Sequence, residues 1–521
     1  MVLPLNVVTL TAALLLVGVC YKLYTKLFAG KYPLPPGPKA QFLVGHYGIV
    51  PAEGPQFQYA KWSKELNTDI LYFESFGTKW IVLNSLQASI DLLDKRGNNY
   101  SDRPRFIMND LMGWAPTLTW LRWSPKMQQH RKLLQPPFSK SKVSQYCPLQ
   151  RREAIKAAQS ILRTNADPMA WNNAIRRFAV AVVINIGFGV EIKDDKSPYI
   201  KIADEAAMAI SNAGAPASSI VDRFPATRFL PSFLPFMERK RYAERWRYAI
   251  ENITNIPFAA TIADLAANRR TNCFAADRLS IHASNAEKGI PNDFSLADIK
   301  GAAAAIYIAG NDTTQTTIAL FVLYLMQHPA VRAKAVAEID RVVGSERLPE
   351  FADIPNLPYL NLVLQECYRM NPLSPLGIPH ASVKDDVYRG MRIPAGTIVY
   401  QNVWAITHDP AVYSRAFEFW PERYLSVEEG GKGEPFPVGN FGFGRRVCIG
   451  RNLAENSMFM MFAVVLATVE FGWPLGPDGG EEEYEIEWSF KGQAHPLPFK
   501  CRMAPRSAKA EALLMNADLS T

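Results

Sequence analysis

The sequence predicts a mainly α-helical protein with small β-sheets, built as a single large domain behind an N-terminal transmembrane helix. Three observations carry that prediction. The chain opens with one strongly apolar segment, most of the remaining chain reads as helix, and β-branched alternation is confined to short stretches. No second Pro/Gly/Ser-rich linker and no internal repeat occurs after Gly45. The 521 residues therefore divide into an anchor (1–28), a Pro-rich hinge (29–45), one body (46–505) and a weakly ordered, Ala-rich tail (506–521).

Composition sets the limits. Apolar residues make up 48% and charged residues 20%, which excludes a disordered or fibrous chain. The net charge of +8 is mild for this size, and no Lys/Arg run is dense enough to argue for nucleic acid. A solvated basic surface and a basic docking face for an acidic partner or a membrane both remain open. The six cysteines (20, 147, 273, 367, 448 and 501) form no CxxC pair, which opposes a disulfide framework or structural zinc site and suits a reducing compartment.

Taken in order, Val2–Tyr21 is long enough to cross a bilayer as a helix of roughly 20 residues. Lys22, Lys26 and Lys31 come after it and no basic residue precedes it, which leaves the C-terminal bulk in the cytoplasm. A cleaved signal peptide, the rival reading, would carry its basic residues first. Prolines 33, 35, 36 and 38 then favour stiff, extended chain. Strands are expected near Ile70–Leu83 around Phe76-Gly77-Thr78, and again over Val383–Ile398 with a turn at Pro394-Ala395-Gly396-Thr397. Helices are expected at Arg151–Leu162, Met169–Ile186, Arg239–Asn268, Pro329–Val343 and Leu360–Met370.

The most telling helix runs from Ser295 to Gln327, roughly 50 Å at 1.5 Å per residue. Ser295 and Asp298 form a capping box and Pro329 stops it. It is apolar almost all round, as a helix buried in a core or a membrane must be. Its middle, Ala309-Gly310-Asn311-Asp312-Thr313-Thr314-Gln315-Thr316-Thr317, decides between them. A central Asp costs about 2.5–3.5 kcal/mol on insertion scales, which opposes a bilayer span. Such a polar knot is either a site or a run of Thr hydroxyls bonded back to helix carbonyls.

Near the C-terminus stands Phe441-Gly442-Phe443-Gly444-Arg445-Arg446-Val447-Cys448-Ile449-Gly450. Positive charge stabilises a thiolate, and glycines let backbone N–H groups approach the sulfur. Arg451–Glu470 reads as a helix whose N-terminus adds partial positive charge at Cys448. Such a cysteine is a nucleophile with a His partner or a metal ligand. No His lies close, the nearest upstream being His408. A buried, inert cysteine would not need this Gly/Arg casing.

These residues resemble a known signature. Phe441, Gly444, Arg446, Cys448 and Gly450 fit the F-x-x-G-x-R-x-C-x-G haem-binding pattern of the cytochrome P450 family, the haem–thiolate monooxygenases. Ala309–Thr314 resembles the family's A/G-G-x-D/E-T-T/S oxygen-activation motif, Glu366-Cys367-Tyr368-Arg369 its E-x-x-R pair, and Pro421-Glu422-Arg423-Tyr424 its P-E-R-F segment. Four motifs in family order, with anchor and Pro-rich hinge, span essentially the whole chain. The resemblance implies the cytochrome P450 fold and a haem b cofactor. Cys448 is implied as the axial thiolate of the iron, and Glu366, Arg369 and Arg423 as a buried network holding the Cys loop. Asp312 and Thr313 are implied as the proton relay to the oxygen site. Arg446, Arg131, His130 and His380 are implied near the haem propionates. The family's W-R-x-x-R is only partly matched, because Met127 stands where the Trp belongs and Gln128 replaces the first Arg.

The resemblance further implies one oxygen atom inserted into a lipophilic small molecule, with electrons from NADPH through a membrane-bound NADPH–cytochrome P450 reductase. Cytochrome b5 is a second electron-donor candidate. It implies a single-pass endoplasmic reticulum protein with a cytosolic catalytic domain and no nucleic-acid partner. Arg445, Arg451 and Lys132 suit an acidic flavoprotein. Substrate contacts fall on Arg105–Leu121, Ala207–Pro235, Leu373–Ile378 and Ala494–Leu497. Val221–Pro225 and Leu230–Pro235 resemble fungal biosynthetic members, which points to a terpenoid or aromatic secondary metabolite. The alternatives are a haem–thiolate isomerase or dehydratase, which would not need Asp312-Thr313, and a haem sensor or carrier without turnover.

Overall fold

The computed structural model describes residues 32–114, 116–214, 219–269 and 272–519. The expected membrane anchor at 1–28 lies outside them. Among the described residues no helix is long and apolar enough to cross a membrane.

The expected hairpin forms. β1 (Ile70–Ser75) pairs antiparallel with β2 (Thr78–Leu83) around Phe76 and Gly77, both at positive φ (47° and 77°), the backbone that a tight two-residue hairpin turn demands. β3 (His380–Ala381) and β4 (Ile398–Gln401) complete a four-stranded sheet in the order β1-β2-β4-β3. β2 and β4 are parallel, with Trp80 opposite Ile398, so the helical body is inserted between two neighbouring strands. The Pro-rich segment is not a free spacer. Tyr72 N–H donates to Pro36 O at 2.8 Å and Arg392 N–H to Pro33 O at 2.7 Å, which docks it on the sheet region.

The helices that frame the site are α1 (Ile107–Leu111), α2 (Pro125–Leu134), α3 (Cys147–Arg163), α4 (Trp171–Phe188), α5 (Pro198–Ser211), α6 (Ile220–Arg223), α7 (Glu238–Ala266), α8 (Leu296–Gln327), α9 (Pro358–Met370) and α10 (Arg451–Thr468). α8 is the long helix foreseen, with its Ser295–Asp298 capping box in place. It lies deep in the main apolar core and packs most extensively on α4. A Cβ at Gly310 would fall 2.3 Å from Val183 Cγ1, so only glycine permits this approach. Phe321 of α8 stacks on Phe462 of α10 at 3.5 Å.

The strands and turn expected over Val383–Ile398 form, two helices were not foreseen, and the loose tail is corrected. The Val383–Ile398 region holds a hairpin, Asp386–Tyr388 with Met391–Ile393, turning at Arg389 and Gly390, and the 394–397 turn leads into β4. α5 and a helix at Phe274–Glu287, both rich in alanine, escaped the sequence reading. The tail is not uniformly loose. Ser507 caps a helix, α11 (Ala508–Met515), whose Leu514 is fully buried and accepts from Gln159 Nε2 of α3 at 2.8 Å.

Candidate functional site

The Cys448 loop is shaped by its glycines. Gly439, Gly442 and Gly444 all have positive φ, and a Cβ at Gly444 would sit 2.3 Å from Leu93 O. Cys448 N–H donates to Phe441 O at 2.8 Å, closing the loop just before Gly450 caps α10. The first N–H groups of that helix then point at the sulfur. Burial nevertheless pushes the Cys448 thiol up, against the N–H of Gly450, the Arg131 charge and the N–H of Arg451. The positive charge that acts on the sulfur comes from Arg131 and the two N–H groups, while the adjacent arginines are engaged elsewhere. Arg445 lies over the Trp123 ring at 5.5 Å and Arg451 pairs with Glu455 at 2.8 Å. Cys448 is densely surrounded by protein and yet solvent-accessible. Both hold for a side chain that lines an interior space.

Close by gather cations that no carboxylate pairs. Arg446 donates to the carbonyls of Ser101 (2.8 Å), Leu118 (3.1 Å) and Leu121 (2.8 Å), and burial pushes its pKa down to about 10. Arg103, also buried, donates to Ile378 O (2.7 Å), Pro379 O (2.8 Å) and Thr119 O (3.2 Å). Burial and then the Arg446 charge hold it well below the usual arginine range. Both Nη atoms of Arg131 donate to Val447 O at 3.2 Å. The buried His380 ring bonds Tyr100 O through Nδ1 at 2.7 Å, and burial, Arg103 and Arg446 all depress its pKa. Among the described residues no carboxylate forms an ion pair with Arg103, Arg131 or Arg446. The nearby Asp102 is committed to Arg122 and to Trp123 N–H. Buried charges are normally paired, so this donor set fits a bound group that carries carboxylates.

Arg103 was missed from the sequence. It sits in an irregular stretch where no periodicity marks it. His130 uses one ring nitrogen within the protein, and its buried Nδ1 has no partner among the described residues. Its Nε2 bonds Asp298 at 2.8 Å, the carboxylate that also holds Lys126 at 2.9 Å, so it pins α2 to the start of α8. Met127, in the position of the family's Trp, is buried and fills space without donating.

The middle of α8 supports both readings of its polar knot. Thr313 Oγ1 donates to Ala309 O at 2.8 Å, and Thr317 Oγ1 to Thr313 O at 2.9 Å. Ala309 is nonetheless exposed, and Gly310, Asp312 and Thr313 are only half-buried, inside an otherwise buried helix. Burial raises the Asp312 pKa, opposed by His495 and the Gln493 side chain. On α5, burial pushes Asp204 up to about 6, against Arg176 at 3.0 Å, and Asp312 adds to the rise.

The expected Glu–Arg–Arg network is present, and all three side chains are fully buried. Arg369 makes two bonds to Glu366 at 2.9 Å, and Arg423 Nε makes one at 3.0 Å. Glu434, which the sequence reading did not single out, accepts from Arg423 Nη1 at 2.7 Å and brings the cluster to two acids and two bases. The two guanidinium groups also donate to the carbonyls of Thr407, Ser414, Arg415, Ala416 and Glu418. The chain leading to the Cys loop is thereby tied to α9.

No set of three or more His, Cys, Asp or Glu side chains among the described residues is arranged to hold a metal ion. One thiol with flanking N–H groups, beside the buried Arg103 and the half-buried Arg131 and Arg446, is a donor set into which haem b would fit. The macrocycle brings its own nitrogen ligands and its propionates bring the missing carboxylates.

Comparison with known proteins agrees. The sequence pattern of the Cytochrome P450 family matches residues 35–493. Cytochrome P450 monooxygenase 208 of Postia placenta is 34% identical over 506 residues, 96% of each chain. Tryptamine 4-monooxygenase of Psilocybe cyanescens is 33% identical, over 91% of this chain and 93% of its own. Cytochrome P450 monooxygenase claR of Ampulloclitocybe clavipes is 34% identical, over 98% and 93%.

Proposed function

The chain belongs to the cytochrome P450 family, oxidoreductases of the monooxygenase class, and from that premise we propose that it oxidises a lipophilic small molecule in fungal secondary metabolism. Haem, when bound, supplies the oxygen chemistry, in which one atom of O2 enters the substrate and the other leaves as water. Cys448 supplies the sulfur ligand. As a haem ligand Cys448 would act as the deprotonated thiolate. Arg103, Arg131, Arg446 and His380 receive the propionates, while Phe441, Gly444 and Gly450 shape the loop. Glu366, Arg369, Arg423 and Glu434 keep it in place.

Asp312 and Thr313 hold and move the proton. Asp312, with its raised pKa, retains a proton to higher pH than an exposed acid. The Thr313 hydroxyl, anchored on Ala309 O, passes it on from a fixed position. Electrons come from NADPH through a reductase, with cytochrome b5 as a second donor. The exposed Arg445, Arg451 and Lys132 suit an acidic partner. Residues 2–28 anchor the chain in the endoplasmic reticulum membrane with the body in the cytosol. The fungal relatives, among them a tryptamine 4-monooxygenase, support a place in secondary metabolism.

The carrying observation is a buried and two half-buried guanidinium groups that no carboxylate pairs, beside a cysteine cradled by N–H groups. The test is turnover with reductase, NADPH and a library of lipophilic compounds under labelled O2. Label appearing in a product supports the proposal. Turnover without O2, or none across the library, overturns it.

A further inference from the structure

Outside the haem site, one cavity combines charge and aromatic surface. It lies between α1, the loop after it, the end of α5 and α6, and holds about 60 Å³ of free space, enough for a few heavy atoms. Phe106, Met112, Trp114 and Trp120 supply its apolar wall. Trp120 meets Phe106 edge-on at 5.2 Å and Trp114 at 5.6 Å. The one charged residue lining the cavity is Asp222 of α6.

The Asp222 carboxylate is held firmly. Oδ1 accepts from Met108 N–H of α1 at 3.0 Å, and Oδ2 from Ser219 Oγ at 2.5 Å. Among the described residues no Lys, Arg or His forms an ion pair with it. Its neighbour Arg223 turns instead to the Tyr47 ring at 5.6 Å. Asp222 is half-buried, and a partly desolvated acid without a paired cation gains from one that a ligand supplies. A carboxylate that shares a cavity wall with indole rings suits an ammonium group, through a charge-assisted hydrogen bond and cation–π attraction together. A purely hydrocarbon substrate would gain nothing from it.

We infer that this cavity is the subsite for the ammonium group of an aromatic, amine-bearing substrate. The inference rests on the monooxygenase reading and adds the substrate class to it. The acid fixes the charged end of the molecule, and the aromatic wall takes the carbons next to it.

The test is calorimetric binding to the haem-loaded, full-length protein, with phenethylamine and its neutral counterpart 2-phenylethanol as probes. The amine should bind at least about tenfold more tightly. Asp222→Asn, which keeps an acceptor for Met108 N–H, should reduce that ratio to within about twofold and leave the alcohol's affinity unchanged. A wild-type ratio near one overturns the proposal. So does a ratio that survives in the variant, which is the outcome if the amine simply ligates iron. Should Asp222→Asn fail to fold, Trp114→Leu decides, because removing that ring must weaken the amine more than the alcohol. Loss of the thiolate signature at Cys448 would sink the monooxygenase reading while leaving the calorimetric ratio intact, so the two failures are distinguishable.

Discussion

Replacing Glu366 by Gln is the sharpest structural perturbation available. The buried carboxylate takes five donors. Oε1 accepts Arg369 Nη2 (2.9 Å), Arg423 Nε (3.0 Å) and Trp420 N–H (2.9 Å), and Oε2 accepts Arg369 Nε (2.9 Å) and the Tyr424 hydroxyl (2.7 Å). An amide must set its NH2 against one of these groups. The lesser loss faces Arg369 Nε and Tyr424, and the tyrosine can turn to accept, which leaves one guanidinium donor unmatched. Two buried guanidinium groups then share the single charge of Glu434. Breaking a buried pair in this way costs about 3–5 kcal/mol, a large share of the roughly 5–15 kcal/mol that holds a protein folded. Urea unfolding followed by tryptophan fluorescence should show that loss, and the purified variant should carry less haem than wild type. Glu434→Gln should cost less, since that carboxylate serves one arginine and Ser414. Glu366→Gln with wild-type unfolding energy and full haem would refute the view that this cluster holds the Cys loop.

Three further outcomes are expected. Thr313→Ala should raise peroxide released per NADPH oxidised and barely move stability, because the lost bond is a local one to Ala309 O; unchanged coupling removes its proton role. Arg103→Leu should weaken haem retention about tenfold in a transfer assay to apomyoglobin, the worth of one charge-assisted contact, and equal retention would remove Arg103 from the site. His408, stacked on Trp404 and bonded to its carbonyl, is held down to about 4 by burial. The native state then binds fewer protons than the unfolded chain between about pH 6.5 and 4, so stability falls by about 2–4 kcal/mol as pH drops through that window. His408→Gln should remove that slope, and an identical acid profile in the variant would contradict it.

Much of this was legible in the sequence because certain residues constrain both chain and chemistry. Ser295, Asp298 and Pro329 mark the ends of α8, and Phe76-Gly77 marks the hairpin turn. The spacing of Glu366 and Arg369 places them on one helix face, where they pair. The rest depended on contacts remote along the chain. Arg103 belongs to the site only by reaching carbonyls at 378 and 379, and Glu434 only by meeting Arg423. The Nε2 contact of His130 was not legible because its partner, Asp298, lies on another helix. Which charges reach Cys448 was not legible, because side-chain direction cannot be read from adjacency. Arg445 and Arg446 sit beside the cysteine in sequence and turn away from it in space.

The most direct measurement is the optical spectrum of the reduced, haem-loaded protein under carbon monoxide. Ligation by Cys448 predicts a Soret band displaced strongly to longer wavelength, and its loss in Cys448→Ser. A folded, haem-containing wild-type protein without the displaced band, or a serine variant that keeps it, would contradict the assignment of sulfur to iron.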